Sequence, residues 1–129
     1  MAQIICSKDA PAPIGPYSQA ILVSGSDSIL YCSGQIPLDP ATGNIAGSTI
    51  EEQTEMAIKN VAAILKEAGL DFDNVIKTTC FLKSIDDFTA FNNIYEKHFI
   101  SKPARSCVEV SRLPKDVLVE IEVIAAFNP

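Results

Sequence analysis

The chain has 129 residues, 10 of them basic and 16 acidic, for a net charge of −6. That length predicts one domain over residues 1–129. An acidic chain without a run of lysine or arginine argues against nucleic acid as a partner.

No apolar stretch approaches the ~18–20 residues of a membrane span. The segment Met1-Ala-Gln-Ile-Ile-Cys6 lacks the basic-then-apolar order of a secretory signal. Cys6, Cys32, Cys80 and Cys107 show neither C-x-x-C nor metal-ligand spacing, and three of them fall in predicted strands. Reduced thiols in a cytoplasmic protein are the expectation.

Along the chain, Ala10-Pro-Ala-Pro-Ile-Gly-Pro16 is dense in proline and predicts a stiff, extended loop with few backbone donors. Strands are predicted over 19–23 and 28–33, joined by a turn at Gly25-Ser-Asp27, and Asp39-Pro-Ala-Thr-Gly43 reads as a second turn. A helix over 50–68 follows. Ser48 and Thr49 each precede a glutamate by three residues, the capping-box spacing. Ala57, Ile58, Val61, Ile64, Leu65 and Ala68 form its apolar stripe, and Gly69 is a natural stop. Val75–Leu82, rich in β-branched residues, predicts a strand. A second helix over 86–98 places Phe88, Phe91, Tyr95 and Phe99 on its inner side.

Two segments of period-two character then flank Leu113-Pro114-Lys115 and read as a β-hairpin. Pairing Val110 with Val117 sets Cys107 opposite Glu120 and Arg105 opposite Glu122. Opposed side chains lie about 5 Å apart, so one guanidinium, one thiol and two carboxylates would share a sheet face. A one-residue slip would send Glu120 to the other face. In the last strand Val117, Val119, Ile121, Val123 and Phe127 line one side; Leu118, Ile124 and Ala126 line the other with the glutamates. A sheet apolar on both faces needs cover on both, two helices cover one, and copies of the chain itself are the simplest cover for the other. A homo-oligomer is therefore expected.

On the residues alone, Arg105 is equally a clamp for a ligand carboxylate and a cross-strand ion pair with Glu122. Glu120, with apolar neighbours on its own face, reads as a carboxylate that is costly unless it is paired or functional. Cys107 reads first as a packing thiol, because the single histidine, His98, falls near a helix end and is explained by favourable charge placement there. Gly34, in Ser33-Gly34-Gln35 after a strand, lets a ligand or water approach the backbone. Tyr17 reads as a packed ring. No Gly-rich phosphate loop, zinc pattern or EF-hand occurs, and no metal or cofactor is called for.

Three motifs carry a resemblance. Pro103-Ala-Arg-Ser-Cys-Val-Glu-Val110 with Arg112-Leu-Pro-Lys-Asp116, Ala12-Pro-Ile-Gly-Pro-Tyr17-Ser, and Ser33-Gly-Gln-Ile-Pro37 resemble the signatures of the Rid family, also called YjgF or endoribonuclease L-PSP. The similarity extends from about residue 9 to residue 127. It implies an α+β fold, a single mixed sheet with two helices on one face (chorismate-mutase-like), assembled as a trimer around a central β-barrel with sites between subunits. It further implies hydrolytic deamination of 2-imino acids such as 2-iminobutanoate and 2-iminopropanoate. Arg105 would bind the substrate carboxylate and Glu120 would activate water, with Cys107, Tyr17, Ser33 and Gly34 lining the site. Asn92 matches a family asparagine, with a structural role expected first. The rival readings are an endoribonuclease or translation inhibitor, and a non-catalytic binder of small carboxylates.

Overall fold

The structure, a computed structural model, describes residues 2–13, 17–25 and 28–127. The end of the proline-rich segment (14–16) and residues 26–27 of the first expected turn lie outside the described residues. Six strands form one mixed sheet: β1 (Ala2–Ile5), β2 (Ala20–Val23), β3 (Ile29–Cys32), β4 (Val75–Leu82), β5 (Ala104–Glu109) and β6 (Val119–Ala126). Two helices, α1 (Ile50–Glu67) and α2 (Phe88–His98), pack on one face. The spatial order is β1-β2-β3-β6-β4-β5, antiparallel throughout except for the parallel pair β4/β5.

Helix α1 forms where the sequence places it. Thr49 caps its start, with Thr49 Oγ1 accepting from the Glu52 amide and Glu52 Oε1 accepting from the Thr49 amide. At its end Gly69 takes φ +77°, its amide donates to the Lys66 carbonyl, and Leu70 N–H donates to Leu65 O. That bond pattern needs a left-handed residue, which glycine supplies without steric cost. The buried stripe Ala57, Ile58, Val61, Ile64 and Leu65 then packs with Leu30, Leu82, Val119, Ile121 and Val123 of the sheet and Phe91 of α2. This cluster is the main core.

The proline-rich segment is irregular over its described residues, as expected. Its carbonyls find a donor in a buried side chain: Gln19 Nε2 bonds Pro11 O at 2.8 Å and Ser7 O at 3.2 Å, while Gln19 Oε1 accepts from the Ser7 amide. Burying a glutamine is tolerable only because its amide is satisfied in this way.

The expected hairpin between the last two strands does not form. β4 lies between them, with β5 parallel on one side and β6 antiparallel on the other. The end of β4 is gripped from both flanks: Val110 N–H donates to Leu82 O, and Lys83 N–H donates to Leu118 O. The physical reason is the β4–α2–β5 crossover, which returns the chain parallel to β4 and takes the slot a hairpin partner would fill. Strand β1, which the sequence pattern does not mark, is a four-residue edge strand paired, among the described residues, with β2.

The face away from the helices is apolar but uncovered within one chain. Registers set Ile4, Ile21, Tyr31 and Ile124 side by side across β1, β2, β3 and β6. Ile4 is 67 % exposed and Tyr31 50 %. The expected two-sided character of β6 is thus present, with Val119, Ile121, Val123 and Ala125 buried under the helices.

Candidate active site

The new strand order changes the geometry of the expected site. Glu120 pairs with Phe81 and Glu122 with Thr79, on the open face; Arg105 pairs with Thr78 and Cys107 with Cys80, on the helix face. The chain therefore carries two candidate half-sites on opposite sides of its sheet. The cluster of Arg105, Cys107, Glu120 and Glu122 on one face, which the hairpin register required, is corrected by this finding. So is the Arg105–Glu122 ion pair.

The first half-site is a cleft of ≈ 440 Å³ lined by Tyr17, Ser33, Gly34, Ile36, Pro114, Glu120 and Glu122. After β3 the chain runs beside β6: Gln35 N–H donates to Ile121 O at 2.7 Å, and Ile121 N–H returns to Gln35 O at 3.0 Å. Gly34 is thereby pressed against the Glu120 side chain. A Cβ on Gly34 would stand 2.6 Å from Glu120 Oε2, so only glycine leaves room for the carboxylate as placed. Ser33 Oγ donates to Ser18 O, tying this segment to the one bearing Tyr17.

Support comes from behind and below. Asn60 of α1 donates through Nδ2 to Ile36 O and Leu38 O. Ile36, Leu38, Leu113 and Val117 form a second, small core that holds the 33–38 segment against the turn Pro114–Asp116. In that turn Lys115 and Asp116 both take φ 56°, the left-handed region that costs non-glycine residues energy. Burial, and then the charge of Glu122, raise the Glu120 pKa above the ordinary carboxylate value. A carboxylate with raised proton affinity is a stronger proton acceptor when ionised.

The second half-site is built on β5 and α2. Arg105 Nη1 donates to Asn92 Oδ1 at 2.7 Å, and the guanidinium lies 4.7 Å from the Tyr95 ring centroid and 5.5 Å from that of Phe88. Among the described residues no carboxylate pairs with it. Two rings and one amide thus fix the fork while leaving donors for an anion. A cleft of ≈ 310 Å³ opens here between Asn92, Tyr95, Lys102, Pro103 and Arg105. Asn92 plays the structural part expected of it, now specified as orienting Arg105. The sequence marks Tyr95 as an inward ring, and its position two helical turns from Phe88 is the signal that both can flank one side chain.

Two residues along β5, Cys107 is half-buried against the core, beside Cys80. The neighbouring Cys80 thiol lowers the Cys107 pKa to about 7; burial opposes this and the Arg105 charge assists it. His98 lies elsewhere, its Nε2 3.1 Å from Glu55 Oε2 of α1, so it stands as the surface helix residue expected and forms no dyad with Cys107.

Comparison with known proteins agrees with the fold and the motifs. The family model described as Endoribonuclease L-PSP matches residues 7–127. A Lactococcus lactis protein named as a candidate regulator, AldR, is 61 % identical over 124 residues, spanning 95 % of this chain and 96 % of its own. The human 2-iminobutanoate/2-iminopropanoate deaminase is 45 % identical over 128 residues, spanning 98 % of this chain and 91 % of its own. The crystal structure of E. coli TdcF with bound serine matches with a TM-score of 0.89 at 41 % identity, covering 98 % of this chain and 99 % of that one. The chain belongs to the endoribonuclease L-PSP family, the group also called YjgF or Rid.

Proposed function

We propose that this protein hydrolyses short 2-imino acids and their enamine tautomers to 2-keto acids and ammonia. The observation that carries the reading is Arg105: a fixed guanidinium, oriented by Asn92 and two rings and paired with no carboxylate among the described residues. It is a ready receptor for a small carboxylate. The mammalian relative named for this deamination and the TdcF crystal structure with bound serine, a small amino acid, support the same ligand class.

In this mechanism Arg105 binds the substrate carboxylate. Glu120 takes a proton from water as the water oxygen bonds to the imine carbon, giving a carbinolamine. Glu120 then returns the proton to the nitrogen; as the C–N bond breaks, the hydroxyl proton passes to Glu120, ammonia departs and the carbonyl forms. An iminium carbon is already electrophilic, so positioning plus one acid–base group suffices. Gly34, Ser33, Tyr17 and Cys107 line the pocket. Since Arg105 and Glu120 face opposite sides of one sheet, a substrate of a few atoms meets both only between copies. The apolar row Ile4, Ile21, Tyr31 and Ile124 gives the copies a surface to share, in a homotrimer with three such sites.

The test generates 2-iminobutanoate in situ with a threonine dehydratase in the presence of semicarbazide. The protein is expected to divert trapped imine to free keto acid, and Arg105→Ala to abolish the diversion. An assembled wild type that diverts nothing, while still binding small carboxylates through Arg105, would establish a binder instead. The ribonuclease reading, carried by the family's description, is opposed by the net charge of −6. RNA cleavage lost with Glu120→Gln would revive it.

A further inference from the structure

The hydrolysis proposed above makes no bond to sulfur, yet two thiols stand against each other beside its arginine. Cys80 and Cys107 are register partners on the parallel strands β4 and β5, both on the helix face. Neighbouring strands lie about 4.8 Å apart, within the roughly 4.4–6.8 Å Cα separation that disulfides span. Among the described residues β5 is an edge strand paired with β4 alone, so a small shift that brings the two sulfurs to bonding distance breaks no second ladder.

The two sulfurs are also differentiated. Cys80 is fully enclosed in the core, whereas Cys107 is half-buried at the Arg105 half-site. The Cys80 thiol donates to Thr78 Oγ1 at 3.9 Å; its nearness as register partner favours thiolate on Cys107, while Cys107 and burial push Cys80 itself strongly upward. One sulfur is thus an accessible nucleophile at neutral pH and the other a protonated neighbour. The remaining cysteines lack this arrangement. Cys32 is buried, its pKa pushed up to about 12, and faces Ala20 across the sheet; Cys6 is exposed and lies outside the strands.

We propose that Cys107 and Cys80 form an oxidation-sensing dithiol, in which a hydroperoxide oxidises Cys107 and Cys80 captures the product as a disulfide joining β5 to β4. The Cys107 thiolate attacks the distal peroxide oxygen, the O–O bond breaks, and the departing oxide takes a proton as water or alcohol. Cys107 is now a sulfenic acid. Cys80 sulfur then attacks the Cys107 sulfur, the S–O bond breaks, and the hydroxyl leaves as water with the Cys80 proton. Two thiols are oxidised by two electrons and one peroxide is reduced. The bridge draws Cys107, which lines the proposed pocket, away from the substrate and toward β4, so turnover falls on oxidation and returns on reduction. That consequence for turnover rests on the deaminase reading; the bridge itself does not.

The experiment treats the intact protein with hydrogen peroxide, then alkylates, digests and maps the cysteines by mass spectrometry. Alkylatable thiols should fall from 4 to two, with a Cys80–Cys107 linked peptide that dithiothreitol reverses. Cys80→Ala should form no linked peptide and carry Cys107 on to sulfinic acid, with unoxidised activity retained. The proposal is overturned if wild-type Cys107 reaches sulfinic acid while Cys80 stays alkylatable, if the bridge involves Cys6 or Cys32, or if all thiols survive. Because the linked peptide is scored by mass, a protein that forms it without deaminating anything would sink the deaminase reading alone.

Discussion

Gly34 and Glu120 touch so closely that a single methyl group cannot fit between them. The Cβ of any other residue at position 34 would lie 2.6 Å from Glu120 Oε2 and 2.8 Å from its Cδ. The obstructing atoms belong to the end of a flexible side chain, so the carboxylate yields and the backbone stays. Gly34→Ala is therefore expected to fold with stability changed by less than about 1 kcal/mol, yet to lower turnover by roughly tenfold or more, because a displaced base loses its alignment with the water. Thermal unfolding and steady-state kinetics on the same sample check it. A variant that keeps full turnover would remove Glu120 from the chemistry.

The raised pKa of Glu120 fixes a sign for stability as well as for rate. In the folded protein the carboxyl holds its proton to higher pH than in the unfolded chain. The contribution favourable to folding is thus fully present below the unfolded carboxylate pKa and is lost as pH rises through the folded one. At neutral pH the ionised Glu120 is a burden that Glu120→Gln removes. The glutamine variant should melt higher than wild type at pH 7.5, with the gap closing in acid, while its turnover falls sharply. Equal melting temperatures at both pH values would show that the carboxylate is not desolvated.

Much of this fold could be read in advance, because it depends on local signals. The cap at Thr49, the glycine stop after α1 and the β-branched run of β4 each act within a few residues. What could not be read was which strands become neighbours. Alternating residues around Val110 and Val117 specify strands, but β4 competes for both and wins through the crossover carrying α2. Arg105, Cys107, Tyr17, Ser33 and Gly34 could be named from motifs and Glu120 from the pattern of its strand, whereas their division between two faces followed only from that pairing. The adjacency of Cys80 to Cys107 was hidden for the same reason.

Asn92 offers a sharper probe of the arginine than deleting the arginine does. Its Oδ1 accepts from Arg105 Nη1 at 2.7 Å, so the side chain positions the fork without consuming its charge. Asn92→Asp would supply the carboxylate that Arg105 lacks. The resulting ion pair competes with substrate, and KM should rise by roughly tenfold or more, a cost of about 1.4 kcal/mol or above, with the fold intact. Asn92→Ala loosens the fork but leaves its charge available, and should raise KM less. If the two variants bind alike, Arg105 is not the carboxylate receptor.

The opposed placement of Arg105 and Glu120 makes the shared site testable without any structure of the assembly. Arg105→Ala retains an intact Glu120 half-site, and Glu120→Gln retains an intact arginine half-site. Each homo-oligomer should be inactive, since every site lacks one member. Co-expressed in equal amounts and randomly assembled, roughly one site in four joins an intact Arg105 from one copy to an intact Glu120 from another. Purified mixed oligomers, isolated through two different affinity tags, exclude both homotrimers and should recover roughly one active site in three. A site contained within one chain predicts no recovery at any mixing ratio, because neither variant chain holds both residues. Light scattering on the same preparations distinguishes failure of assembly from failure of complementation.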